Sequence, residues 1–546
     1  MQRATTHTGN LCDLLITQAA TRPTQPAIID RYGRSISFAD LEAATARGAA
    51  LLARHDLGID RRVLLLVPIS IELYIALLSV MRVGATAVLL DPSAGLSHMH
   101  ACCDLARPDA MIGVPKAHLL RVFSSRVRAI RKHFVMGTRL FPGISWSKAA
   151  SLAPLAGAAR CTLDSPALLT FTSGSTGQPK AALRSHGLLL AQQSAISRAL
   201  HNEPGSAELI TLPVFVLANL AAGVTSVIAD ADLRRPGSIN PAPVLEQIRA
   251  RSIASIVASP ALMERLCAEP ASSISPPPSL ASVRRIFTGG APVFPRLLDR
   301  LARHAPNARV VALYGSTEAE PIAHLEHAEL TDDMRGRIRS GAGLPAGTPV
   351  ADVTLRIIRD TWGTPLAPMS TDELNSCTQA SAAIGEIVVT GAHVLKGYLN
   401  GVGDHETKFR VRDRESERVW HRTGDAGYLD PDGSLWLVGR ASAKIADKHG
   451  VIYPLQVEAA ALEHESVRRA ALVAHAWQRV LLVEAAAGAN VEAMRDELAA
   501  TLAWAHVERI VVVPRIPMDR RHNAKVDYTA LRALLATLPA EWSGST

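Results

Sequence analysis

Residues 63–67, VLLLV, are apolar without a break, so a strand formed there must be covered on both faces. From Ile71 to Arg82 the apolar positions take helical spacing, Gly84 offers a C-terminal stop, and TAVLL (86–90) starts a second apolar run. That is the pattern of a βαβ unit. The rhythm returns where IASIVA (253–258) precedes a helix from Pro260, RIFTG (285–289) precedes another, and VVALYG (310–315) follows. The alternation predicts an α/β fold class, doubly wound. Ahead of it, AIID (27–30) and SISF (35–38) flank Tyr32 and Gly33 as a hairpin, and Asp40 to His55 has helical spacing.

After Gly439 and Arg440 the strands shorten (470–474, 479–485, 509–513) and alternate with helices near 455–464 and 491–503. This predicts a small C-terminal α+β domain, residues 440–546, after a large body of α/β subdomains, residues 1–439. PASSISPPPS (270–279) reads as a loop, and 360–383 as a polar surface insertion.

A length of 546 residues allows two or more domains, and 48% hydrophobic with 20% charged residues is an ordinary globular balance. Aromatics are only 4%, which argues against a base-stacking RNA platform. The net charge of +8 is mild, suits an anionic ligand or a membrane surface, and demands no nucleic acid. Its densest run, Arg121, Arg126, Arg128, Arg131, Lys132 and His133, has the spacing of an amphipathic helix and reads first as a solvated face. Six cysteines without paired metal-ligand spacing point to a reducing cytoplasm. The most apolar stretch, Val63 to Met81, is interrupted by Pro68 and Glu72, so no membrane span is expected.

The sharpest local feature is LLTFTSGSTGQPKAALRSH (168–186), where an apolar strand enters a loop of Thr172, Ser173, Gly174, Ser175, Thr176 and Gly177, followed by Lys180. Glycines let backbone N–H groups face an anion, hydroxyls donate further bonds, and the lysine adds a point charge. The spacing is not that of the P-loop NTPases, because no Ser or Thr follows the lysine. A Ser/Gly surface turn is the plain alternative.

TSGSTGQPK resembles the phosphate loop of the adenylate-forming superfamily of acyl-CoA synthetases, peptide-synthetase adenylation domains and luciferases. FTGGAP (287–292) resembles its adenine-side segment, YGSTE (314–318) its aromatic and magnesium-associated motif, and HRTGD (421–425) its ribose-binding motif. Gly439 and Arg440 resemble the hinge entry, and PMDRRHNAKVD (517–527) the catalytic-lysine motif. An isolated Asp425 would be a turn residue and an isolated Lys525 a solvated one; their joint order decides otherwise.

The resemblance implies ATP and Mg²⁺ as cofactors. A carboxylate must approach the α-phosphorus of ATP, and the two anions repel unless positive charge bridges them. Lys525 would lie between them, catalytic together with Glu318 and Thr172, while Lys180 and the loop from Ser173 to Gly177 hold the departing phosphates. Glu318 and Thr176 would hold Mg²⁺ through oxygen. Gly289, Gly290, Ala291, Tyr314, Gly315 and Thr317 would line the nucleotide, with Tyr314 near the adenine. Asp425 would accept from the ribose hydroxyls and Arg440 donate from the hinge. The small domain becomes a cap that swings.

Departures bear on the second half-reaction. Where acyl-CoA synthetases often carry an aromatic-His pair, LPVFVLANLAAG (212–223) has Val216. Ser442 stands for the hinge Asp or Lys and Ala446 for a lysine of the next strand. Counting back from Glu458, His449 falls on the glycine that faces the pantetheine tunnel, and Gly450 comes one place later. These features, with TSVIADADLRRPGSINP (225–241), SPALMERL (259–266), HRTGDAGY (421–428) and RHNAK (521–525), are similar to the β-lactone synthetases of bacterial olefin biosynthesis. That implies activation of a 3-hydroxy fatty acid and displacement of AMP by its own hydroxyl, without CoA and with His449 or His421 as candidate bases. The alternative is a fatty acyl-CoA ligase, or a carrier-protein ligase that docks an acidic partner on residues 121–133. A degenerate binding protein is disfavoured because Lys180, Glu318, Asp425 and Lys525 are all present. A two-chain product would suit peripheral membrane or pathway-enzyme association.

Overall fold

The computed structural model describes residues 9–91, 94–138, 140–173, 179–268, 280–413, 416–518 and 526–537. The chain packs into two compact units, each built from separated segments. One comprises residues 1–230, 317–320 and 391–408, and the other 231–316, 321–390 and 409–546.

The first unit holds a seven-stranded sheet in the order Ile144–Ser145, Lys132–Val135, Ala110–Gly113, Arg62–Leu66, Thr86–Leu89, Pro166–Ser173, Pro179–Ser185. All neighbours are parallel except the last pair, which is antiparallel and forms the stem of the Ser/Gly loop. The βαβ unit forms as the spacing predicts. The helix Ile71–Arg82 starts where Ser70 Oγ accepts from the Leu73 amide, and Gly84 follows it at φ +80°. Leu64, Val88, Met111, Leu169, Phe171 and Ala181 meet in one core. Four more strands, Ala207–Ile210, Thr225–Ile228, Pro26–Ile29 and Ser35–Ser37, pair in that order, the last two as the expected hairpin.

The second unit carries the parallel strands Ser255–Ala258, Arg285–Gly289 and Arg309–Ser316. It also has an antiparallel set running Leu344–Pro349, Leu435–Arg440, Glu417–Leu429, Gly385–Thr390, Thr354–Ile358. Beyond Arg440, the hairpin Ile445–Asp447/Gly450–Ile452 leads to the helix Pro454–Leu462. The strands Val467–His475, Gln478–Ala485 and Arg509–Val512 then pair in order. Val457, Ala461, Leu472, Leu481, Met494 and Leu498 form a core of their own there, the α+β arrangement expected.

One expectation needs correction. Residues 121–133 are not one amphipathic helix: two four-residue helices, Leu120–Phe123 and Ser125–Arg128, give way to the strand Lys132–Val135, in which His133 is buried. Pairing of Lys132 to Val135 along Ala110–Gly113 ends the helical run. The stretch 360–383 is largely exposed, as expected of a polar surface segment, and is tied down at a few points. Trp362 packs against the cluster of Tyr428 and Trp436, Leu374 is buried in the helix Thr371–Cys377, and Asp360 accepts from Lys444 Nζ at 2.8 Å. Residues 270–279, read as a loop, lie outside the described residues.

Candidate active site

In the first unit, the strand pair Pro166–Ser173 and Pro179–Ser185 sets Thr172 opposite Lys180 and Ser173 opposite Pro179. Gly174, Ser175, Thr176 and Gly177 lie between them, outside the described residues. Lys180 is buried, its ammonium ion-paired with Glu406 and 5.9 Å from the centre of the Tyr398 ring. Gly403, at φ +96°, makes room for it: a Cβ there would come within 2.6 Å of Lys180 Cδ. The lysine holds the Glu406 carboxyl below its ordinary range.

Glu318 is fixed twice. Tyr398 Oη donates to its Oε1 at 2.7 Å, and its carbonyl accepts from the Leu395 amide at 2.7 Å. The neighbouring Thr317 carbonyl accepts from the buried Arg184 at 2.9 Å, and Arg184 also donates to Thr170 Oγ1 at 2.8 Å. Burial pushes the Glu320 carboxyl up to about 7 against the pull of Arg184. A second buried lysine, Lys408, donates to the Leu395 carbonyl at 2.5 Å and lies 5.5 Å from the Tyr398 ring centre. Burial lowers its ammonium to about 7, opposed by Glu318 and Asp404. Tyr398 thus joins two cations through its ring to one carboxylate through its hydroxyl, an arrangement suited to anionic chemistry.

In the second unit, Gly289 ends the strand Arg285–Gly289 beside Leu313, where a Cβ would lie 2.6 Å from the Leu313 carbonyl oxygen. Gly290 follows at φ +85°, with Ala291 next and half-buried. Tyr314 and Gly315 sit near the end of the adjacent strand, both half-buried. The Tyr314 hydroxyl donates to Asp425 Oδ2 at 2.8 Å, and Arg440 Nη1 donates to Asp425 Oδ1 at 2.8 Å. Asp425 and Arg440 are also register partners on neighbouring strands, so the ion pair follows from the ladder. Gly424, at φ +75°, keeps the approach open, since a Cβ would fall 2.9 Å from Arg440 Nη2 and 3.0 Å from Trp362. Burial and the Asp425 charge hold the Tyr314 phenol well above its ordinary range. Beneath them, the fully buried Arg422 forks onto Glu386 at 2.8 and 2.7 Å.

Lys525 and RHNAK lie outside the described residues; Met518 and Val526 bridge on either side of that segment. Next to it, Tyr528 Oη donates to the buried Glu458 at 2.8 Å. At the tip of the hairpin Asp447–Gly450, the His449 ring stacks on His506 with centroids 4.4 Å apart, and Gly450 takes φ +98°. His421 is 3% exposed within its strand, Val216 is buried in the helix Pro213–Ala222, and Ser442 and Ala446 are exposed.

Sequence reasoning passed over Tyr398, Glu406, Lys408 and Arg184. Only Tyr398 carried a local signal, an aromatic within GYLN after an apolar strand.

A donor set of Glu318 with hydroxyls fits Mg²⁺, a hard cation that takes one or two protein carboxylates and completes its shell with phosphate oxygens and water. No group of three or more His, Cys, Asp or Glu able to hold a metal occurs among the described residues.

The class is that of the adenylate-forming enzymes. The chain belongs to the AMP-binding enzyme family, which matches residues 15–399. It is 33% identical over 513 residues to an olefin β-lactone synthetase of Xanthomonas campestris pv. campestris, covering 91% of this chain and 90% of that protein. It is 32% identical to the olefin β-lactone synthetase of Stenotrophomonas maltophilia over the same shares. Among solved structures, the amide bond synthetase McbA of Marinactinospora thermotolerans superposes with a TM-score of 0.77 at 22% identity, over 96% of this chain and 99% of that one. The expected α/β fold and ligase class are therefore met.

Proposed function

We propose that the protein activates a fatty or 3-hydroxy fatty acid with Mg²⁺ and ATP and then closes a β-lactone. The similarity to two olefin β-lactone synthetases along nine-tenths of their length carries this reading. In the first step a carboxylate oxygen bonds to the α-phosphorus of ATP and the bond to the pyrophosphate oxygen breaks. Lys525 bridges the two anions, and Lys180 with Thr172 and the loop steadies the leaving phosphates. Glu318 and Thr176 would hold Mg²⁺, which would supply positive charge at those phosphates. Asp425, Arg440 and Tyr314 hold the nucleoside. In the second step the substrate's 3-hydroxyl oxygen bonds to the acyl carbon, the acyl–phosphate C–O bond breaks, AMP leaves, and the hydroxyl proton passes to a base. Intramolecular attack has a large effective concentration, which offsets ring strain. His449 is better placed than His421 to act on solute, being exposed at a hairpin tip.

We also propose that residues 440–546 move as a cap bearing Lys525, and that the protein works in the cytoplasm, in keeping with six free cysteines. No helix among the described residues is long and apolar enough to cross a membrane.

The test is incubation of the purified protein with Mg-ATP and either a 3-hydroxy or a plain fatty acid, with and without CoA, with products identified by mass spectrometry. Lactone formed without CoA is the expected result. Acyl-CoA as the only product would replace lactone closure with thioester transfer.

A further inference from the structure

Residues 110–163 contain no Asp or Glu, while Lys116, Arg121, Arg126, Arg128, Arg131 and Lys132 crowd its first half. The two single-turn helices Leu120–Phe123 and Ser125–Arg128 are too short to bury a full apolar face. They seat Val127, with Ile130 after it, in the core, but leave Val122 57%, Phe123 68% and nearby Leu140 71% exposed. The knob is held by its own arginines. Arg128 donates to the carbonyls of Arg121 and Val122 at 2.8 and 2.7 Å, and Arg121 donates to the Pro142 carbonyl at 2.6 Å, which ties in the segment that carries Leu140. These acceptors are neutral, so the guanidinium charges stay uncompensated. Neighbouring carboxylates reach it at only two points among the described residues, Asp104 to Arg126 at 2.7 Å and Asp56 to Lys132 at 3.4 Å.

We propose that this knob docks the protein on an anionic lipid bilayer, with Phe123, Val122 and Leu140 entering the headgroup boundary and the surrounding cations meeting lipid phosphate. Exposed large apolar side chains inside a one-sign basic field are the signature of an interfacial anchor. An acidic protein would match the charge alone. It would have to supply pockets for three protruding apolar side chains. The inference does not depend on which acyl transfer follows adenylation.

Vesicle flotation of the full chain tests it, with phosphatidylcholine alone and with phosphatidylcholine containing phosphatidylglycerol. The chain is expected on the anionic vesicles, far less on neutral ones, and to be released by salt. The variant Lys116→Gln/Arg131→Gln should lose about fivefold in partition per charge. The variant Val122→Ser/Phe123→Ser/Leu140→Ser should lose roughly tenfold or more. Both should release pyrophosphate at the parent rate, which separates docking from folding. Equal partition of parent and variants, or no partition of the parent, would overturn the proposal. So would saturable capture of an acidic carrier protein, abolished by the same variants, without vesicle binding.

Discussion

The phenol of Tyr314 and the carboxylate of Asp425 meet at 2.8 Å, while Arg440 takes the other carboxylate oxygen at the same distance. The acceptor proposed for the ribose is therefore oriented from both sides before any ligand contacts it. Asp425→Ala should raise the KM for ATP about tenfold or more, the cost of losing hydrogen bonds to a charged group. Tyr314→Phe keeps the ring and should cost only a few-fold. Both are read from the ATP dependence of pyrophosphate release, and an unchanged KM in Asp425→Ala would remove this residue from the site.

Lys180 and Glu406 present a competition. If Lys180 binds departing phosphates, Glu406 must give up the ammonium first, so Glu406→Gln should lower the KM for ATP a few-fold with little change in kcat. A raised KM would mean that Glu406 positions Lys180 rather than competing for it.

Lys525→Ala should abolish pyrophosphate release from the free acid while leaving ATP binding, measured by calorimetry, intact. Activity at the parent level would show that another cation bridges carboxylate and phosphate.

Glu458 gives a pH signature. Burial raises its carboxyl from the ordinary 4.5 to about 7, although the Leu472 amide and Tyr528 hydroxyl both donate to it. The folded protein then holds a proton that the unfolded chain has released, so this group's contribution is full below pH 4.5 and is lost as pH rises to about 7. Glu458→Gln keeps an acceptor oxygen without the charge. Its Tm should match the parent near pH 4.5 and exceed it at pH 8, and a constant Tm difference across that range would contradict the buried-acid assignment.

How much of this was legible depends on range. The βαβ start could be read because burial on both faces forces an unbroken apolar run and Gly84 supplies the positive φ at the helix end. Asp425 and Arg440 could be singled out only through their resemblance to a family pattern, since an isolated Asp425 would be a turn residue. The partners of Lys180 could not: Glu406 is 226 residues away, and nothing in HET (405–407) distinguishes it from a surface acid. Lys408 looked equally ordinary, since burial of an ammonium leaves no trace in the residues beside it. The basic run misled in the opposite way. Its spacing suits a helix, but strand pairing of Lys132 to Val135 decided the backbone there.

The first unit is finished by segments 317–320 and 391–408. A growing chain that has emerged from the ribosome only as far as residue 230 can already pair Thr172 with Lys180, yet it has neither Glu318, Tyr398, Glu406 nor Lys408. The cluster around Lys180 and Tyr398 cannot close until the last of these has been translated. Its assembly therefore waits on joining points far apart in the chain, a kind of closure that lowers folding rates.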